Sequence, residues 1–159
     1  AVNGVAMGGG FTIALSCDLV VAAEHAMFSL PEPRFGLAAV NGGLARLPRQ
    51  VGLKNAMGIA LTGRSVSARE GLSMGFVNEV VEMNALMPAA RRWADGILSC
   101  SPLAVQATKQ ALEAGLAFPT VGEALSASYP AVEALERSDD YVEGPRAFAQ
   151  KRVPRWQGR

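Results

Sequence analysis

Val5-Ala6-Met7-Gly8-Gly9-Gly10-Phe11-Thr12-Ile13-Ala14-Leu15-Ser16-Cys17-Asp18 is the stretch on which the fold turns: a triple glycine runs into a small, apolar, helix-compatible segment. Three successive residues without Cβ let the backbone turn sharply and let another group come within hydrogen-bonding distance of it. The first N–H groups of a helix have no internal acceptor and lie at the positive end of its dipole, so such a start suits a phosphate or a developing oxyanion. A glycine hinge needed only for tight packing is the alternative. A Walker loop requires Gly-Lys-Ser/Thr after its glycines, whereas Phe11-Thr12 follows here, and a dinucleotide fingerprint requires a third glycine where Ile13 stands. The glycines therefore favour an oxyanion site over a nucleotide cradle.

The chain of 159 residues is long enough for one domain with a real core, or a core plus a helical appendage. A hydrophobic fraction of 50% and a charged fraction of 18% belong to a folded, apolar-rich protein. Fifteen Lys and Arg against 14 Asp and Glu leave a net charge of +1, which gives no case for a nucleic-acid partner. Asp18, Glu24 and His25 interrupt the most apolar stretch, so no membrane span is expected. Cys17 and Cys100 match no metal or redox spacing and are expected as buried thiols in a reducing cytoplasm, with no metal site. Ala1-Val2-Asn3-Gly4 reads as the end of a strand entering a turn, without initiator Met or signal peptide, so a piece of a longer protein is expected.

Along the chain, 19–23 and 27–30 lean to β structure, separated by the polar turn Glu24-His25. His25, the only histidine, is expected at the solvated surface, with an acid–base role as the alternative. In Pro31-Glu32-Pro33 two prolines lock the backbone on either side of one carboxylate, a framing that a surface glutamate does not need. The structural alternative has Glu32 capping, or pairing with Arg34. Asn41-Gly42-Gly43 opens a helix over 44–47 that Pro48 is expected to interrupt, and residues 53–61 form a helix ending at Thr62-Gly63. Ser67 and Glu70 form a capping box, Gly75 closes that helix, and 76–81 reads as a last strand. From Asn84 the pattern changes: 87–98, 102–116 and 120–135 are amphipathic helices, and 139–152 is a last short helix ending before Pro154. Ala104, Ala107, Ala111 and Ala114 give the second of these a small-residue face suited to close packing. Residues 1–82 are thus a β/α core and 83–159 a helical region.

Taken in order, Ala1-Val2-Asn3-Gly4, Gly8-Gly9-Gly10, Cys17-Asp18, Phe28-x-x-Pro31-Glu32, Gly42-Gly43-x-x-Arg46-Leu47-Pro48, Leu61-Thr62-Gly63 and Gly75-Phe76-Val77-Asn78 resemble the enoyl-CoA hydratase/isomerase, or crotonase, superfamily. The tail, with Ser138-Asp139-Asp140, Glu143-Gly144, Ala147-Phe148, Lys151-Arg152 and Trp156, is similar to the same family's C-terminus. The resemblance implies an α/β fold, a spiral of ββα turns whose N-terminal part is missing over 1–82, followed by helices over 83–159 that build a trimer, often paired into a hexamer. It implies an acyl-CoA substrate, no prosthetic group, and CoA present only as part of the thioester. Two backbone N–H groups would hold the thioester oxygen, each contributing roughly 2.7–4 kcal/mol to lowering the barrier. One donor carries over to Gly9; the other lies, in the family, upstream of Ala1, so this segment alone is expected to be inactive.

Hydratases of the family use two glutamates to hold and deprotonate water; the second matches Glu32, whereas the first matches Thr12. A hydroxyl can orient water but cannot serve as a carboxylate base. Ala39-Val40 also stands where many members have Pro-Gly. The resemblance places Lys151 at a family lysine expected to contact the phosphates or ribose-phosphate of CoA, with a solvated lysine beside Arg152 as the alternative. The leading expectation is hydration of a 2-enoyl-CoA, with a double-bond shift by Glu32 as sole base, or a non-catalytic trimeric scaffold, as alternatives.

Overall fold

The computed structural model describes all 159 residues, and they fall into two compact units, 1–92 and 93–159. In the first unit the order is β1 (Val5–Met7), α1 (Gly9–Ser16), β2 (Val21–Ala23), β3 (Met27–Ser29), a 3₁₀ turn (Glu32–Phe35), α2 (Gly43–Val51), α3 (Leu53–Thr62), β4 (Val66–Ser67), α4 (Ala68–Met74) and β5 (Glu79–Val81). Two small sheets share these strands. β1 pairs parallel with β3, which pairs antiparallel with β4, while β2 pairs parallel with β5 and Val2 bridges to Ala22. The first two circuits of the chain thus lay one short stretch on each sheet before a helix carries it onward, and in the third α4 stands between β4 and β5. This is the expected ββα spiral, with strands shorter than the β-leaning runs suggested.

The core lies between these turns. Phe11 from α1, Phe28 from β3 and Phe76 after α4 are buried, with ring centroids 5.1 to 5.3 Å apart. Tilted and edge-on pairs at this spacing contribute roughly 0.5–1.5 kcal/mol each beyond area burial. Phe11, Ala14 and Leu15, at i, i+3 and i+4, give α1 its buried stripe. The capping box forms as expected, with Glu70 N–H donating to Ser67 Oγ and Ser67 N–H to Glu70 Oε2, and Gly75 ends α4 at φ 93°.

Pro48 does not interrupt its helix. α2 runs through it, because the acceptor that loses its helical donor is the carbonyl of Leu44, an exposed residue, and Gly52 N–H continues the ladder to Pro48 O at 3.1 Å. Both cysteines are exposed rather than buried. Each stands at a helix end, where Cys17 Sγ and Cys100 Sγ reach the spare carbonyls of Ile13 and Gly96. His25 is exposed, its Nε2 3.0 Å from Asn3 O.

Helix α5 (Leu86–Leu98) crosses from the first unit into the second, which continues with α6 (Pro102–Gly115), α7 (Val121–Ser126), α8 (Pro130–Glu136) and α9 (Asp139–Ala149). The single helix expected over 120–135 is two. Tyr129 is extended, as a residue before proline must be, and Pro130 restarts the chain at a first-turn position. No helix is long and apolar enough to cross a membrane.

Beyond α9 the chain folds back over it. Asp140, 3% exposed, accepts from Ser101 Oγ at 2.7 Å and from Gln157 N–H at 2.7 Å, with Gly158 N–H at 3.3 Å. Glu143 takes both Nη1 (2.6 Å) and Nη2 (2.8 Å) of Arg152 and the N–H of Arg155 at 2.7 Å. Trp156 Nε1 donates to Ser99 O at 2.9 Å. Burial pushes the Asp140 carboxyl up, but the donors from Gln157, Ser101 and Gly158 outweigh it and hold it below the ordinary carboxylate value. The Arg152 guanidinium, helped by Arg155 N–H, holds Glu143 at about 2 against an ordinary 4.5.

Because Glu143 sits below its unfolded value, its contribution is complete above about pH 4.5 and is lost as pH falls toward 2, and Asp140, also lowered, acts in the same direction. Acid titration of Trp156 fluorescence in a Trp93→Phe background should therefore show the tail releasing within that window. In Arg152→Ala the release should move to higher pH.

Candidate active site

Gly8 is the residue from which the site is built. It caps α1 at φ 52° and ψ −116°, its N–H donates to Ser29 O at 2.9 Å, and its carbonyl accepts from Thr12 N–H at 2.9 Å. A Cβ at Gly8 would stand 3.1 Å from Glu32 Oε1, so the carboxylate lies directly against this turn. Glycine is needed here twice over, for a left-handed φ and for the close approach. At Gly9 and Gly10 an added Cβ would meet nothing within 4 Å. Tight packing therefore accounts for Gly8 and not for its two successors. Gly9 is exposed and is the first residue of α1, so its N–H has no acceptor within the helix.

Glu32 opens the 3₁₀ turn between Pro31, its cap, and Pro33, which stands where a missing N–H has no consequence. The turn closes on Gly36 at φ 70°, and Leu37 N–H returns to Glu32 O at 3.0 Å. The main chain at Glu32 is thus fixed from both sides. Its carboxylate is not: Oε2 is buried and has no hydrogen-bond partner. Arg34 does not pair with it; the guanidinium turns away and donates from Nε to Thr62 O at 3.1 Å. A buried acceptor without a donor is unfavourable in a resting fold and suits a group that exchanges a proton with something bound beside it.

Thr12 lies one helical turn beyond Gly8. Its Oγ1 is 3.0 Å from where a Cβ on Gly43 would stand, and its Cγ2 3.7 Å from the corresponding point on Gly42. The Gly42-Gly43 pair thus receives the Thr12 side chain against the start of α2. Arg46 folds back over the same Gly42, its Nη1 filling the space that a Cβ there would need. Gly9, Thr12 and Glu32 are brought together around the first turn of α1. Lys151 belongs to the other unit. It is exposed, lies just past the end of α9 rather than on it, and adopts φ 51°. A left-handed lysine costs roughly 1–2 kcal/mol.

Two contributors escaped sequence reasoning. Ser29 supplies the carbonyl that seats Gly8, and its hydroxyl is itself buried without a partner. Gly63, legible only as a helix end, has Pro31 Cα 3.1 Å from its would-be Cβ. A glycine closing a helix and a glycine receiving another turn look alike in sequence. No group of three or more His, Cys, Asp or Glu side chains is placed to hold a metal ion.

The spiral with its glycine-started helix and proline-framed glutamate defines the crotonase fold. An enoyl-CoA hydratase/isomerase family model matches residues 1–159, and the chain belongs to that family. Over its whole length it is 41% identical to the carnitinyl-CoA dehydratase of Salmonella typhi, of which it covers 62%. The solved enoyl-CoA hydratase of Bacillus anthracis superposes with a TM-score of 0.93 at 36% identity, over 99% of this chain and 60% of that one. The enoyl-CoA hydratase of Mycobacterium tuberculosis H37Rv gives 0.92 at 36% identity, over 98% and 62%. The chain thus spans about three fifths of the length of these relatives.

Gly8→Ala should separate seating from folding. The new methyl meets Glu32 Oε1 and a left-handed φ, and the expected loss is about 1–2 kcal/mol in urea unfolding. Gly10→Ala, with open space around it, should leave stability unchanged or slightly raised.

Proposed function

We propose that the chain carries the proton-transfer half of an acyl-CoA enzyme that hydrates a 2-enoyl-CoA, or runs the same reaction in reverse. The observation that carries this reading is the Glu32 carboxylate, held against the helix start at Gly8 with a buried oxygen that no protein group satisfies. In this reading Gly9 N–H donates to the thioester oxygen as negative charge gathers there. Glu32 takes one proton from the water as its oxygen bonds to the β-carbon and delivers a proton to the α-carbon as the enolate collapses, the reverse holding for dehydration. Thr12, beside Gly42 and Gly43, orients the water without taking its proton. The dehydratase named among the relatives supports water addition or removal as the reaction class.

A double-bond shift is the second reading, and Thr12 favours it. With no second carboxylate at that position, Glu32 is left as sole base, able to take a proton at one carbon and return it at another. We place a further N–H donor and much of the CoA surface outside these residues, since the relatives are longer. We further assign assembly, as a trimer or a pair of trimers in the cytoplasm, to the helical unit. Its buried apolar side chains are Ala107 and Ala147, while Leu112, Leu116, Val121 and Leu125 are all more than two thirds exposed. Apolar surface on that scale calls for a covering partner. Lys151 is assigned to the phosphates of CoA, a mobile point charge on an exposed turn.

In the full-length protein, with that further donor and CoA surface supplied, Glu32→Gln should lower turnover of enoyl-CoA by at least ~10²-fold while leaving CoA binding intact. Retention of most of the rate would make Glu32 structural. With hydration and isomerisation assayed on one preparation, Thr12→Ala should depress the first and spare the second. Equal losses would end the water-orienting role.

Lys151→Ala should raise KM for acyl-CoA with kcat preserved, the mark of lost uniform binding. The same change should leave an acyl-pantetheine thioester untouched. Equal weakening with both substrates would remove Lys151 from the nucleotide end.

A further inference from the structure

The Glu32 carboxylate has one oxygen against Gly8 and the other buried without a partner, so no hydrogen bond to the side chain itself sets its direction. What fixes it is the four-residue turn that carries it, and that turn is tied down at the end remote from the carboxylate. Arg34 Nε donates to Thr62 O at 3.1 Å. Thr62 is the last residue of α3, where carbonyls lack helical donors and the dipole is negative, so a guanidinium is suited there both as donor and as cation. Immediately beyond, Gly63 adopts φ 59°, and a Cβ on it would stand 3.1 Å from Pro31 Cα as well as 3.1 Å from Arg34 Nε. The first of these is main chain and cannot swing aside. The turn therefore rests on the end of α3 through a glycine and is held to it by one arginine.

We propose that Arg34 is the positioning residue for Glu32: by anchoring the Glu32–Phe35 turn to the C-terminus of α3, it sets the height of the carboxylate over the Gly8–Gly9 turn. The inference rests on the reading of Glu32 as the proton carrier, and it assigns to Arg34 no contact with the substrate. The guanidinium points to α3, neutralises no carboxylate of the site, and is exposed. Its effect on the reaction passes entirely through the main chain from Arg34 to Glu32.

The consequence is a particular pattern of loss. A displacement of the reacting group by about 1 Å can cost on the order of 10²-fold in rate with binding untouched. In the full-length protein, Arg34→Ala should therefore lower kcat for enoyl-CoA on the order of 10- to 100-fold with KM changed less than about twofold. Arg34→Lys, which keeps a donor and a charge within reach of Thr62 O, should recover a substantial part of that loss. Arg34→Gln, a donor without charge, should recover less. A parallel measurement needs no turnover: in protein labelled with ¹⁵N-glycine, the Gly8 amide resonance should move in Arg34→Ala and return toward its original place in Arg34→Lys.

An unchanged kcat in Arg34→Ala, or a stationary Gly8 resonance, would overturn the proposal. So would a kcat loss matched by a rise in KM and not relieved by lysine, which would mark general loosening. If the full-length parent protein, with the further donor and CoA surface supplied, turned over no enoyl thioester, the functional reading would fall. The anchoring would then be judged by the Gly8 resonance alone.

Discussion

The contact among Phe11, Phe28 and Phe76 is the constraint from which the first unit follows. Each ring comes from a different circuit of the spiral, so their mutual burial fixes α1, β3 and the segment after α4 against one another in a single step. Gly71 is part of the same arrangement, since a Cβ there would stand 2.7 Å from Phe76 Cζ and 2.8 Å from Val77 Cγ2. Phe11 sits three residues past Gly8, and Phe28 one residue before Ser29. Locking the rings together therefore delivers the Gly8 N–H to the Ser29 carbonyl, and with it the start of α1 to the turn that carries Glu32. The core and the site are two ends of the same two elements.

This coupling explains why so much was legible beforehand. Helix boundaries set by local chemistry could be read directly: Ser67 with Glu70, Gly63 and Gly75 act through atoms a few residues away, and they form as their spacing implies. Glu32 between its prolines was legible for the same reason, since proline restricts the backbone whatever surrounds it. Properties decided by distant partners were not. Pro48 stays inside α2 because the carbonyl it deprives belongs to an exposed residue. The exposure of Cys17 and Cys100 depends on where helix ends fall relative to the core. The anchoring of Arg34 to Thr62 joins residues 28 apart, and nothing in either local sequence announces it.

The two units obtain order by different means. In the first, apolar side chains form a continuous core from Ala6 to Val77. In the second, buried apolar groups are few, and specificity comes from polar contacts: Asp140 with Ser101, Gln157 and Gly158, and Glu143 with Arg152 and Arg155. A network of this kind rigidifies when every acceptor is satisfied and is costly when any is left unpaired. The helical unit is thus more exacting about completeness than about volume.

The backward fold of the tail over α9 sets an order of events during synthesis. The strand pairings from β1 to β5 can all form once Val81 has been joined, while the chain is still growing. Asp140 must wait for Gln157 and Gly158, so α9 carries a half-satisfied carboxylate until the chain has grown 18 residues past it. During that interval α9 lacks the tail contacts that satisfy Asp140 and Glu143. A nascent chain of this protein thus carries paired strands ahead of an unfinished helical unit, and that unit is the part a chaperone would meet.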